Sequence, residues 1–263
     1  MPTFHQGTVA DVSSVTPRMR RVTLSGLAGY PGGGPGAHFK LVLPATDGGP
    51  VVLPSRGPDG LAWPDGPRPL LRTYTARQVG AAAGTLTVDF ALHDERGPAT
   101  AWAAAAQPGD EIVVSGARGG YRIGAGEGPG ADWTLLVADE AALPAAGAIV
   151  EAAPAGAQVM LIAEVAGPGE ELSFATAADL TMTWLYRDPA GAAAGALAAA
   201  AVPAAELPAG RGAYWVGLES AAMRVVRRHL IADRGADREQ LSTRAYWKRG
   251  VANHPDHDTG DDE

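Results

Sequence analysis

The run Arg72-Thr73-Tyr74-Thr75-Ala76-Arg77 sets a cation, an aromatic ring and hydroxyls at alternate positions of an extended segment. On a strand, Arg72, Tyr74 and Ala76 face one side, and Thr73, Thr75 and Arg77 face the other. That set answers the needs of a flavin dinucleotide. A tyrosine ring offers an isoalloxazine a flat apolar partner. A guanidinium offers a pyrophosphate a fork of donors. The Thr75 hydroxyl can meet the polar N5 and O4 edge of the ring. The same pattern also suits a plain barrel strand with Thr and Arg toward solvent, and the residues alone leave both readings open.

The other groups able to do chemistry are fewer. No cysteine occurs among the 263 residues. That excludes disulfides, thiolate metal sites, cysteine-ligated clusters and cysteine nucleophiles, so redox chemistry here needs an organic cofactor. Asp139-Glu140 follows an apolar run, and carboxylates there also suit a helix N-terminus. His93 is either a cofactor contact or a structural histidine. Arg244, Lys248 and Arg249 form the best basic cluster, in a chain of net charge −8. The acidic balance argues against a nucleic-acid partner. His254 and His257 among acids make only a weak metal signal.

The elements that must hold these residues differ between the two halves. Short runs rich in Val, Leu, Thr and aromatics at 7–12, 18–25, 38–43, 72–77, 85–92 and 110–115 predict strands separated by Gly/Pro turns. Residues 44–69 read as a long loop, and 98–106 as a short helix opened by Pro98. The run Trp133 to Ala138 is apolar throughout, the pattern of a strand buried on both faces. Further strands are predicted at 158–163, 181–186 and 213–218, with helices at 143–153, 190–201 and 219–233. Strand–helix alternation implies a doubly wound parallel sheet. The expected organisation is an antiparallel β-barrel over 1–122, a Gly-rich linker near 119–130, an α/β domain over 131–253, and a disordered acidic tail over 254–263. Neither a signal peptide nor a membrane-spanning apolar run is read, so a cytoplasmic location and a monomer are the expectation.

Arg72-Thr73-Tyr74-Thr75-Ala76-Arg77 resembles the flavin motif of the ferredoxin-reductase superfamily. In its longer form it resembles that of the siderophore-interacting proteins. Other segments follow in the family's order. They are His38-Phe39-Lys40-Leu41, Asp89-Phe90-Ala91-Leu92-His93, Gly97-Pro98-Ala99 with Trp102-Ala103, Gly109-Asp110, Gly116-Ala117-Arg118-Gly119, Asp139-Glu140-Ala141-Ala142-Leu143-Pro144-Ala145, Trp215 through Glu219-Ser220, and Tyr246-Trp247-Lys248-Arg249-Gly250. The resemblance spans about His5 to Gly250.

The resemblance implies an FAD-binding barrel followed by an NAD(P)H-binding-like α/β domain. It also implies a cytoplasmic reductase that takes electrons from NADH or NADPH and reduces the iron of a ferric siderophore. By the same resemblance Arg72, Thr73, Tyr74 and Thr75 hold the flavin and its phosphates. Asp89, Phe90, Leu92 and His93 line the cofactor, and Gly97, Pro98, Ala99 and Thr100 present a helix N-terminus to the pyrophosphate. Asp139, Glu140 and Ala142 lie near the adenine or the domain junction. Lys248, Arg249 and Arg244 meet an anionic siderophore, with Arg187 as an alternative for it or for a nicotinamide phosphate. The flavin performs the electron transfer, so no catalytic side chain and no protein-bound metal is implied. Ala141 and Leu218 depart from the family's Thr and Gly. A leucine before Glu219 stands to obstruct the nicotinamide. That keeps open a flavoprotein that takes electrons from ferredoxin or binds a siderophore without a nicotinamide, and a general NAD(P)H:flavin reductase with the same fold and cofactor is the other alternative.

Overall fold

Alternation of apolar and polar side chains builds the first half of the molecule, and continuous apolar runs build the second. The computed structural model describes residues 3–46, 49–57, 60–62, 64–93, 97–124, 130–254 and 258–260. The chain divides into two compact units, Met1–Gly120 and Tyr121–Glu263.

In the first unit the main strands are β1 (Phe4–Thr16), β2 (Met19–Ser25), β3 (His38–Leu43), β6 (Leu70–Thr75), β7 (Gln78–Gly80), β8 (Thr85–Ala91) and β9 (Glu111–Ser115). They form one antiparallel sheet in the order β6-β3-β9-β1-β2-β8-β7. In β8, Leu86, Val88 and Phe90 turn into the core with Leu24, Phe39, Leu41 and Val114. The sheet curls, because Tyr74 on β6 and Phe90 on β8 meet with ring centroids 4.4 Å apart although their strands lie far apart in the order. Helix α1 (Pro98–Ala105) packs here through Trp102, whose ring lies 5.8 Å from that of Phe90. The stretch predicted as a loop over 44–69 carries a small hairpin, β4 (Ser55–Gly57) and β5 (Gly60–Ala62). Strands this short show no readable alternation in sequence.

The second unit is a parallel sheet of β10 (Trp133–Asp139), β11 (Gln158–Val165), β12 (Asp179–Tyr186), β13 (Gly212–Glu219) and β14 (Leu241–Trp247), in the order β12-β11-β10-β13-β14. Every residue of β10 is buried, as a central strand covered on both faces requires. One core joins α2 (Leu143–Glu151) to the sheet, and another joins α4 (Ala196–Ala204) and α5 (Ser220–Ala232) to it. The order reverses between β10 and β13, and ligands of such sheets bind at the carboxyl ends beside that switch point.

Two expectations are corrected in this unit. The helix predicted over 190–201 is two pieces, a single-turn α3 (Arg187–Ala190) and α4 beginning at Ala196, because Gly191 and Gly195 adopt φ of 60° and 81°. The edge strand β14 was not among the predicted strands. Of the tail, expected to lack structure, His254 and Asp258–Gly260 are among the described residues. Asp258 is buried there and accepts from Ser220 Oγ, Arg224 Nη1 and His254 Nε2 at 2.8 to 3.0 Å. The Ala245 backbone N–H donates to the Asp258 carbonyl at 2.8 Å, so this segment covers part of the open edge of β14.

Candidate functional site

In the first unit the predicted flavin strand holds one under-used cation and one aromatic pair. Arg72 Nη1 donates to the neighbouring Leu71 carbonyl at 3.0 Å, and among the described residues no carboxylate pairs with it. Tyr74 packs on Phe90, and burial drives its hydroxyl well above the usual phenol range, so it stays protonated. Thr73 Oγ1 accepts from Lys40 Nζ at 2.6 Å, which ties β6 to β3. Thr75 is buried at the end of β6.

Helix α1 shows a second feature of this kind. Its N-cap is Gly97, which has no side chain to accept from the first turn, and no acid lies in that turn. Pro98 lacks an N–H, which leaves the backbone N–H groups of Ala99 and Thr100 at the helix mouth without a side-chain cap among the described residues. The Thr100 hydroxyl turns back to the Gly97 carbonyl at 3.0 Å. His93 and Gly97 are exposed, and Leu92 packs partly against the core.

Asp89, expected to line the cofactor, is engaged by two arginines. It is 3% exposed, and Arg21 Nε and Nη2 donate to its two oxygens at 2.7 Å each. Arg77 Nε stands 3.6 Å away. Both oxygens are therefore committed to a strand-to-strand ion pair, on the side of β8 opposite Phe90. Its carboxylate ties β8 to β2 through Arg21.

In the second unit three buried acids stand at the carboxyl ends of adjacent strands: Asp139 on β10, Glu164 on β11 and Glu219 on β13. Asp139 Oδ1 accepts from the N–H groups of Ala141 and Ala142 at 3.0 and 3.2 Å, ahead of α2. Glu164 accepts from Gly195 and Ala198 at 2.6 and 3.0 Å, at the start of α4. Glu219 Oε2 accepts from Ala221 and Ala222 at 2.7 and 3.3 Å, in the first turn of α5. Trp247 Nε1, at the end of β14, reaches across β13 to Asp139 Oδ2 at 2.9 Å. Burial pushes the Asp139 carboxyl up to about 7, the Trp247 bond works against that, and the charges of Glu140 and Glu164 reinforce it.

Glu140 holds Arg187 through two bonds of 2.8 Å. Glu164 and Asp188 each lie 3.7 Å from the same guanidinium. Arg187, considered from sequence as a cation for substrate, is thus already neutralised by acids. The Glu140 bond above all raises its pKa. Lys248 and Arg249 are exposed in the turn after β14, where the Arg249 N–H donates to Glu219 Oε1 at 3.2 Å. Arg244 lies within β14 opposite Gly217 and is half-buried.

Leu218 answers the question raised by its departure from the expected glycine. It is 0% exposed and packs with Val216, Met223 and Val226 in the core beneath α4 and α5. Its side chain points away from any open face, so the expected obstruction does not arise from it. The residue that needs to be glycine is Gly217. A Cβ there would come within 2.7 to 2.9 Å of Ala142, Tyr246 and Trp215. Ala142 is therefore a packing partner of the switch point, and Ala141 contributes its backbone N–H to Asp139.

Residues 8–121 match the siderophore-interacting FAD-binding domain, and residues 131–250 match the domain described as siderophore-interacting protein. Ferric vibriobactin reductase ViuB of Vibrio cholerae is 32% identical over 90% of this chain and 86% of its own. The chain belongs to the siderophore-interacting protein family. Within that family, a solved siderophore utilization protein from T. fusca shares 38% identity and a TM-score of 0.85, covering 97% of each chain. An NADPH-dependent ferric-chelate reductase of Escherichia coli is 35% identical over 54% of this chain and 54% of its own. The antiparallel first unit of this siderophore-interacting protein is its FAD-binding domain, and the parallel second unit follows it. No helix among the described residues is long and apolar enough to cross a membrane.

Sequence reasoning did not anticipate four contacts: the Arg21 pair with Asp89, Glu164 at the start of α4, the Trp247 Nε1 bond to Asp139 and the Glu219 cap of α5. A signal for the acids was present. Three apolar runs end in one, at Ala138-Asp139, Ala163-Glu164 and Leu218-Glu219.

Proposed function

We propose that this chain is an FAD-dependent ferric-siderophore reductase that draws electrons from a reduced nicotinamide. The observation that carries the reading is Arg72. A half-buried guanidinium whose one bond among the described residues goes to its neighbour's carbonyl is a cation awaiting an anion, on the strand where the family resemblance puts a flavin pyrophosphate. The mouth of α1, which has no side-chain cap among the described residues, fits the same anion.

In this reading Arg72 and the N–H groups of Ala99 and Thr100 hold the pyrophosphate. Tyr74, seated on Phe90, offers a protonated, apolar face to the isoalloxazine. Thr73, Thr75, Leu92 and His93 border it, and Gly97 and Pro98 shape the approach to the helix. Bound FAD would supply the conversion between a two-electron hydride donor and a one-electron ferric acceptor. Asp139, Glu140 and Ala142 order the switch point of the second unit. Lys248 and Arg249, with Arg244 on the adjoining strand, meet an anionic ferric siderophore. Fe(II) binds hard oxygen donors less tightly than Fe(III), so reduction releases the metal and no protein ligand is needed. The names of the Vibrio and Escherichia relatives support this reaction, and the second supports NADPH as donor. A cytoplasmic location and a monomeric state belong to the same proposal.

Burial of Leu218 removes the feature that had favoured an external donor such as ferredoxin over a nicotinamide. The test is anaerobic mixing of the FAD-loaded protein with NADPH or NADH, followed by a ferric siderophore and a ferrous-specific chromophore. Flavin bands that bleach and return as Fe(II) appears are the expected result. Bands that ignore both nicotinamides would overturn the donor, and bleached bands that do not respond to the ferric siderophore would overturn the acceptor.

A further inference from the structure

Lys248 and Arg249 stand on a segment that is held at both ends. Residues 248–251 make a tight turn, closed by the Val251 N–H donating to the Lys248 carbonyl at 3.1 Å. Gly250, third in that turn, takes φ of 72°, the left-handed backbone that a type II turn requires there. On the side toward β14 the turn is fixed by the Trp247 bond to Asp139 and by the Arg249 N–H on Glu219 Oε1. Asn253 then takes φ of 56°, which a short amide side chain tolerates, and His254 and Asp258 lie against the start of α5.

Asp258 is the second anchor, and it is 8% exposed. Its Oδ2 accepts from Ser220 Oγ at 3.0 Å and from His254 Nε2 at 2.8 Å. Its Oδ1 accepts from Arg224 at 2.9 Å and from the Gly260 N–H at 3.2 Å. Ser220 and His254 share one acceptor atom, the reverse of a nucleophilic triad, in which histidine stands between serine and acid. Burial opposes ionisation of Asp258, but the bonds from His254 and Ser220 and the charge of Arg224 hold its carboxyl below the usual carboxylate range. The backbone is fixed here too. The Asp258 carbonyl accepts from the Ala245 N–H at 2.8 Å, and the Thr243 hydroxyl donates to the Thr259 carbonyl at 2.6 Å. The chain thus leaves β14 through the basic turn and is fastened again to the same strand.

An exposed cation gives a weak contact, partly because its side chain and the backbone beneath it must be ordered as the anion binds. Fixing the backbone beforehand removes that share of the cost. We propose that Asp258, with Ser220, Arg224 and His254 as its donors, is a positioning residue for ferric-siderophore docking: it closes the far end of the segment that carries Lys248 and Arg249, so that the two cations meet an anionic acceptor as a fixed pair. The inference rests on the ferric-siderophore reading of those cations. It gives a part of the acidic tail, read from sequence as disordered, a role in selecting the acceptor.

The test is steady-state reduction by the FAD-loaded full chain, with the electron donor saturating, of two acceptors: a trianionic ferric tris-catecholate and a cationic ferric tris-hydroxamate. In Asp258→Asn the KM for the catecholate should rise about threefold to tenfold, the share of two exposed charge contacts, with kcat and the hydroxamate KM unchanged. Lys248→Ala together with Arg249→Ala should raise the catecholate KM at least as far, and adding Asp258→Asn to that pair should move it no further. An unmoved catecholate KM, equal rises for both acceptors, or a full further rise once the two cations are gone would overturn the proposal. Should Asp258→Asn fail to fold, His254→Ala removes one donor, leaves Ser220 and Arg224, and carries the same comparison, with a rise of about twofold to threefold expected for the catecholate alone. If the wild type reduces no anionic acceptor, the siderophore reading of the cations falls with that result, and trypsin decides the clasp by itself. Cleavage after Lys248 or Arg249 of the native chain should then be at least about fivefold faster in the variant, and equal rates show that Asp258 does not hold the turn.

Discussion

Trp247→Phe removes a single N–H donor from a buried carboxyl while keeping most of the ring volume, and its cost should depend on pH in a calculable direction. The Asp139 carboxyl is 1% exposed and is pushed up to about 7 from an ordinary 3.8. A folded pKa above the unfolded one means that the native state holds the extra proton between the two values. Stability from this group is therefore full below about pH 4 and is lost as pH rises to about 7, a change of about 4 kcal/mol. In the wild type, Trp247 Nε1 donates to Asp139 Oδ2 at 2.9 Å and limits that loss by favouring the ionised form. At pH 5.5 the folded carboxyl is neutral, and a neutral hydrogen bond contributes about 1 kcal/mol. At pH 8.5 it is ionised, and the same bond contributes about 2 kcal/mol or more. Lost ring packing costs the same at both pH values and cancels in the comparison. Urea unfolding of both proteins, followed by far-ultraviolet circular dichroism at each pH, should show a larger penalty for Trp247→Phe at pH 8.5, by about 1 kcal/mol. An equal penalty at both pH values, or a larger one at pH 5.5, would refute the argument that Asp139 titrates in this range under the influence of Trp247.

Three other outcomes follow from single contacts. Arg72→Ala should weaken FAD binding about 10- to 100-fold in a flavin-fluorescence titration, because one or two charge-assisted bonds are lost, while urea stability moves by less than about 1 kcal/mol. Asp89→Asn should behave in the opposite way: it leaves Arg21 and Arg77 short of an anion and costs about 3 kcal/mol, with FAD affinity of the folded protein held within about threefold. A collapse of FAD affinity without loss of stability would restore a direct cofactor role to Asp89. Leu218→Gly should empty a core position at a cost of about 3 to 5 kcal/mol and leave nicotinamide oxidation no faster, and a faster reaction would show that the leucine does obstruct the donor.

What the sequence determined by itself was the class of each layer and the identity of the family. Alternation in Thr85–Ala91 and the unbroken apolar run of Trp133–Ala138 separate an antiparallel sheet from a doubly wound one, because strand burial on one or two faces writes itself directly into local composition. The collinear motifs from His38 to Gly250 identified the family for the same reason: chemistry demands particular residue types at particular spacings. What the sequence left undecided was where side chains end. Asp89 and Asp139 sit in equally conspicuous motifs, yet one is spent on Arg21 and the other lies beneath a tryptophan 108 positions away in the chain. Leu218 looked like an obstacle because its strand neighbours were legible and its facing direction was not; a bulge between Leu218 and Glu219 in the pairing with β14 sets that local register. The acceptors that Glu164 and Glu219 supply at the starts of α4 and α5 depend on which strand lies beside which helix. That is a matter of long-range packing, and only the tertiary structure decided it.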